Sequence, residues 1–212
     1  RISFVVVLKY KAPVNKAFPS LSTAGSEAFA PRYRSSKESK LAAAAVALPA
    51  AAVALPEAAV ALLPALVSLI AAAVAEMKLS YVVLTMVARD DLADEGMGHI
   101  AQCVAAIKDL DSSIQVETLI SDARGTASLD IILDAAPDVL NHNVETVPRL
   151  QRAVRPSAGY ARSLSVLSRA KAHGLTVKSG LIVGMGETDD EVFGVLADLA
   201  AIGVDIVTIG QY

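Results

Sequence analysis

From Lys78 onward, short runs of β-branched and aliphatic residues alternate with longer stretches whose apolar positions recur every three or four residues. Tyr81-Val82-Val83-Leu84-Thr85 reads as a buried strand, followed by the polar loop Ala88-Arg89-Asp90-Asp91. Ile100, Cys103, Val104 and Ile107 then share one face of a predicted helix. Residues 114–120 form the next strand, 129–135 a helix ended by Pro137, and Val139-Leu140 a short strand. A helix over 160–173 stops at Gly174, and residues 175–183 are again a strand. Thr188-Asp189-Asp190-Glu191 is a capping box that opens a helix ending near Gly203, before a last strand at 205–209. Strand and helix recur together about every thirty residues, the period of βα units with helical crossovers, so the sheet is expected to be parallel.

The chain before this point has a different composition. Residues 1–40 begin with the β-branched run Ile2 to Leu8 and become basic and Ser/Pro-rich, with eight Lys/Arg against Glu27 and Glu38. They are expected to be a disordered leader, and an acid-poor basic leader of this kind can be an organelle transit peptide. Residues 41–64 are a low-complexity Ala/Pro segment in which Ala43-Ala44-Ala45-Val46-Ala47-Leu48-Pro49 recurs identically at 50–56. Pro49, Pro56 and Pro64 argue against one clean helix there, because an interior proline removes a donor and clashes with the preceding turn. Frayed short helices fit better than a membrane span, and alanine is a weak membrane anchor. The folded domain is expected over 65–212, starting with an amphipathic helix at 65–76.

Charge and cysteine content narrow the chemistry. Hydrophobic residues make up 54% of the chain, inflated by the alanine block, and the net charge of −3 gives no electrostatic footprint for nucleic acid. One cysteine, Cys103, excludes an internal disulfide or a multi-thiolate metal site, and it falls on an apolar helix face. His99, His142 and His173 show no ligand spacing, so no metal residues are assigned and no catalytic residue is identifiable.

The informative polar residues cluster where strands run out. Asn141, Asn143 and Glu145 tend to share one side while extended geometry lasts, which turns His142 the other way. A carboxylate there can accept from vicinal hydroxyls and an amide can hold a carboxylate or ammonium; equally, the segment can be a capped turn. Gly180-Leu181-Ile182-Val183-Gly184-Met185-Gly186-Glu187 places glycines at a strand end, where backbone can approach a flat ligand or turn with positive φ. Lys178 is a cation in an apolar strand, and Arg155 before Pro156 offers a fork suited to a carboxylate, or to a surface ion pair. Arg89-Asp90-Asp91 pairs acids that serve either as ligands or as a solvated cap.

As a set, Tyr81 to Thr85 with Arg89-Asp90-Asp91-Leu92, Pro137-Asp138-Val139, Asn141 to Thr146, Val154-Arg155-Pro156, Lys178-Ser179-Gly180-Leu181 and Thr208-Ile209-Gly210-Gln211-Tyr212 resembles the lipoyl synthases of the radical S-adenosylmethionine superfamily. The resemblance covers residues 76–212. It implies an α/β fold, a partial (β/α)6 barrel truncated at both ends and carrying the low-complexity N-terminal extension. It also implies S-adenosylmethionine and two 4Fe-4S clusters as cofactors, with sulfur inserted into octanoyl groups on a carrier protein or lipoyl domain. Carried over by motif, Glu145 would hold the ribose, Asn143 and Arg155 the methionyl end, and Ile182 with Gly184 the adenine side. Thr85 would line the floor, and Lys178 would join the cofactor-binding set.

The departures are equally specific. Both cysteine motifs of the family are missing, the C-terminal Arg-Ser-Ser-Tyr segment is absent, and Ala88 replaces an asparagine usual in that loop. The chain is therefore expected to be an inactive fragment of a lipoyl synthase-like enzyme. The alternatives are a non-catalytic barrel remnant that binds a nucleotide or partner, and a membrane-tethered protein. Localisation is expected to be cytoplasmic, or mitochondrial or plastid if the leader is a transit peptide.

Overall fold

A computed structural model describes residues Val5–Val7 and Pro56–Tyr212, with side chains from Pro64 onward. Apart from Val5–Val7, the leader lies outside the described residues, as does most of the Ala/Pro segment. The described elements are β1 (Val5–Val7), α1 (Pro56–Glu76), β2 (Tyr81–Thr85), α2 (Met97–Leu110), β3 (Gln115–Leu119), α3 (Thr126–Asp134), β4 (Val139–Asn141), α4 (Gln151–Val154), α5 (Tyr160–Ala172), β5 (Thr176–Val183), α6 (Asp189–Ile202) and β6 (Ile206–Gln211). Val5–Val7 and residues 61–212 belong to one compact unit, and the other unit, 12–60, lies almost wholly outside the described residues.

The strands stand in sequence order, β1 to β6, in one sheet. From β2 to β6 all neighbours are parallel, as the helical crossovers require. The result is a partial barrel of βα units. Two departures from the sequence reading occur at its start. The edge of β2 carries the short antiparallel strand β1, with Val6 opposite Leu84, within the segment read as a disordered leader. Val5–Val7, within the β-branched run, thus supply the pairing that an open edge invites. The first helix also begins at Pro56 and contains Pro64, where a break was expected. Pro56 stands at the first helical position, where its missing N–H costs nothing, and the alanine-rich flanks favour helix strongly enough to carry the interior proline. Among the described residues no helix is long and apolar enough to cross a membrane.

The register separates the two faces of the sheet. Val82, Leu84, Val116, Leu140, Val177 and Leu181 are buried against the helices, in a core shared with Ile100, Cys103, Val104 and Ile107 of α2. That helix therefore presents the face its apolar spacing anticipated. The alternate residues point to the concave side, here called the lumen face. Its layers follow the pairings Val83–Glu117–Val139–Thr176 and Thr85–Leu119–Asn141–Lys178–Ile206.

Carboxylates fix the strand and helix starts. Asp138 accepts from Val116 N at 2.7 Å and pairs with Lys108 at 2.6 Å. Asp205 repeats the device one unit later, accepting from Val177 N at 2.8 Å and pairing with Lys171 at 2.6 Å. Glu95 accepts from Arg124 N, Gly125 N and Ser128 Oγ, which caps the N-terminus of α3 with a negative charge. The capping box of α6 is present as read from the sequence, with Thr188 accepting from Glu191 N. All of β6 is exposed.

Candidate functional site

The lumen face carries a buried polar layer centred on Glu117, which is 2% exposed. Lys178 Nζ donates to both of its oxygens, at 2.9 and 3.0 Å. Tyr81 Oη donates to Oε2 at 2.6 Å and Asn141 Nδ2 to Oε1 at 2.7 Å. Burial opposes ionisation of Glu117, yet the hydrogen bonds from Lys178, Tyr81 and Asn141 outweigh it and hold the carboxyl below its ordinary range. Burial, and then the contact with Glu117, raises Tyr81 well above an ordinary phenol. Lys178 is thus built into the layer, with most of its donor capacity spent on Glu117. Thr85 shares the row of Asn141 and Lys178 on the same face, half-buried.

Above this layer the chain leaves β4 and bends sharply. His142 N donates to Lys178 O, Glu145 N to Gly180 O, and Ile182 N to Glu145 O, so the segment 142–145 keeps intermittent pairing with β5. Glu145 adopts φ 65°, the left-handed region in which the Cβ of any residue but glycine crowds the following carbonyl. Surrounding groups overdetermine that conformation. Gln151 Nε2 donates to Val144 O at 2.7 Å and Thr146 O at 3.1 Å, and Arg155 Nη1 to Asn143 O at 2.8 Å. Extended geometry ends before Glu145, so it does not continue the alternation of Asn141 and Asn143. The turn nevertheless brings Asn143 Nδ2 to Glu145 Oε1 at 3.1 Å.

Gly180 explains why the amide can lie there. A Cβ at that position would stand 2.6 Å from Asn143 Oδ1, which would have to shift, and 3.2 Å from Thr208 Oγ1, a tight contact. Farther along the same face, Ile182 pairs with Gly210, whose missing Cβ would meet open space. Gly184 and Gly186 both have φ 101°, and Gly184 N and Met185 N donate to Glu187. The glycine segment is therefore both a turn and an unobstructed strand end.

His142 faces away, as its position in the strand requires. It is 1% exposed, with Nε2 3.0 Å from Ser163 Oγ and 3.5 Å from Asp122 Oδ1, and Nδ1 3.3 Å from Ile120 O. Burial keeps its imidazole neutral below the ordinary range, against the pull of Asp122. Asp90 and Asp91 face Arg124 and Arg89 at 2.7 and 2.6 Å, which makes that acidic loop an ion-paired turn. Cys103 is buried in α2, and burial pushes its thiol up to about 11. Among the described residues no group of three or more His, Cys, Asp or Glu is placed to hold a metal ion.

The structure thus brings Asn143, Glu145 and Ile182 together around the mouth, with Arg155 behind the loop and Lys178 beneath. Sequence reasoning missed Tyr81, Glu117 and Asp122, and gave Asn141 no specific partner. The available signal was Glu117 itself, an acid in the strand Gln115–Leu119 on the same alternation as Lys178 in β5.

Comparison with known proteins gives this geometry a context. A model described as the Radical SAM superfamily matches residues 56–200. A protein named lipoyl synthase from Chromobacterium violaceum is 50% identical over 144 residues, 66% of this chain and 46% of that protein. Another of that name from Chlorobium limicola is 54% identical over 142 residues, 66% of this chain and 49% of that protein. The chain therefore spans about half the length of the curated relatives it matches. The crystal structure of a methylornithine synthase superposes with a TM-score of 0.53 at 18% identity, covering 63% of this chain and 39% of that one. That likeness bears on the fold alone.

Proposed function

Because this chain belongs to the radical SAM superfamily, we propose that its barrel mouth binds S-adenosylmethionine and that the chain derives from a lipoyl synthase. The reaction class is then sulfur insertion into protein-bound octanoyl groups, with an octanoylated lipoyl domain or carrier protein as partner. One observation carries the reading: Glu145 is held at φ 65° while its carboxylate meets the Asn143 amide. Backbone strain fixed this firmly is characteristic of ligand-holding loops.

The residues present fit the cofactor. Glu145 supplies an acceptor for ribose hydroxyls, and Asn143 supplies an amide for the polar methionyl end. Ile182 gives an apolar wall, with Gly184 and the bare Gly210 leaving room for a planar base. Thr85 closes the floor. Lys178 acts from below, neutralising Glu117 so that the layer under the cofactor carries no net charge. When bound, the cofactor would supply the deoxyadenosyl group with which the superfamily removes hydrogen from its substrates.

The residues present do not fit an iron–sulfur cluster. A 4Fe-4S centre needs about three or four thiolates, and the sequence has one cysteine. That thiol is buried in a helix and held protonated by burial. No step through a cluster is therefore assigned to this chain by itself, and we read it as catalytically incomplete on its own. Calorimetric titration with S-adenosylmethionine tests the first half, and anaerobic incubation with iron and sulfide followed by iron quantification tests the second. Weak saturable binding with no stoichiometric iron is expected. Near four irons per chain would overturn the incomplete-enzyme reading, and no binding would overturn the cofactor site.

A further inference from the structure

We infer that Arg155 is a positioning residue for the ligand loop, held in place by Asp122, and not the partner of a ligand carboxylate. This rests on the reading that the mouth binds S-adenosylmethionine, and it assigns a role to Asp122, which the sequence did not single out. Arg155 follows α4 and precedes Pro156, which keeps its backbone out of the helix at φ −134°. From there the guanidinium reaches back under the loop. Nη1 donates to Asn143 O at 2.8 Å, and Nη2 to Asp122 Oδ1 at 2.8 Å.

Those two contacts engage one N–H on each Nη and fix the guanidinium between the Asn143 carbonyl and Asp122. Asn143 O lies two residues before Glu145, in the segment whose left-handed turn aims the carboxylate. Asp122 itself lies 3.5 Å from the buried imidazole of His142, whose Nε2 is engaged by Ser163 at 3.0 Å. The neutral imidazole does not balance the charge of Asp122, so Arg155 does. A second carboxylate brought to the same guanidinium would meet Asp122 as a like charge at short range, which disfavours it. The order of control runs from Asp122 to Arg155, to the Asn143 carbonyl, to the turn at Glu145.

The two roles separate by ligand. S-adenosylmethionine carries the amino-acid carboxylate, whereas 5′-methylthioadenosine keeps the adenine and ribose and lacks it. Dissociation constants for both are to be measured by calorimetry on the full chain and on Arg155→Gln, Arg155→Lys and the isosteric Asp122→Asn, with Tm recorded for each. Positioning predicts that all three variants weaken both ligands by the same factor, about fivefold. The ratio of the two affinities then stays at its wild-type value. Lysine keeps the charge but cannot span the two acceptors, so it should not rescue. Loss confined to S-adenosylmethionine, rescue by lysine, or wild-type affinities in Asp122→Asn would each overturn the inference. If the unaltered chain binds neither ligand, the cofactor reading fails and this inference fails with it.

Discussion

The two faces of β5 follow different rules of construction. Val177, Ser179 and Leu181 are 0, 0 and 1% exposed and pack toward the helices. Between them, Lys178, Gly180 and Ile182 face the lumen. The helix side is ordered by shape, because apolar groups packed at crystal-like density leave no alternative arrangement. The lumen side is ordered by valence: Lys178 is fixed by Glu117, and Gly180 is small because the Asn143 amide lies over it. A parallel strand buried on one side and lining an open mouth on the other can therefore encode stability and recognition at alternate positions, each with its own rules of tolerance.

The largest effect should come from breaking the charge layer on one side only. Glu117→Leu leaves Lys178 buried and unpaired, and should cost about 3–5 kcal/mol in urea unfolding, whereas Glu117→Leu with Lys178→Met should recover most of that loss. A double variant no better than the single one would show that the pair does not act as a unit. On the helix face, Leu140→Ala opens a cavity in the fully buried core. Its expected cost is about 2–5 kcal/mol, with no change in ligand affinity beyond what instability explains.

Gly180→Ala sharpens the contrast, because the added Cβ would displace the Asn143 amide on the lumen side. Overpacking of about 1–3 kcal/mol is expected, with ligand affinity falling more than that of Leu140→Ala at equal stability. The smallest effect is a pH dependence. The pKa of His142 is depressed in the fold from its ordinary 6.5. Stability is therefore fully present above 6.5 and declines as pH falls toward the folded value, while the unfolded chain takes up the proton first. His142→Asn should flatten that slope in thermal scans between about pH 7 and 5.

The helix side of this comparison was legible in the sequence, and the lumen side only partly. Apolar runs located β2 to β6, and apolar spacing located the buried face of α2, since a stripe buried along a helix fixes both period and direction. It also marked Asn143, Glu145 and the glycine segment as a strand-end group. It did not show that Arg155 and Lys178 already have protein partners. Glu117 and Asp122 lie 61 and 33 residues away from them in the chain. Pairings at that separation depend on strand order, which no local pattern contains. β1 was hidden for the same reason: a β-branched run becomes a strand only when an edge is there to receive it.

Methyl-resolved NMR of the chain labelled at Ile, Leu and Val tests the central claim most directly, because adjacent residues of β5 report opposite faces. On addition of S-adenosylmethionine, the Ile182 methyl signals should shift with saturation, while those of Leu181 and Val177 stay fixed. Shifts at Leu181 and Val177 with Ile182 unmoved would place the ligand elsewhere and contradict the account.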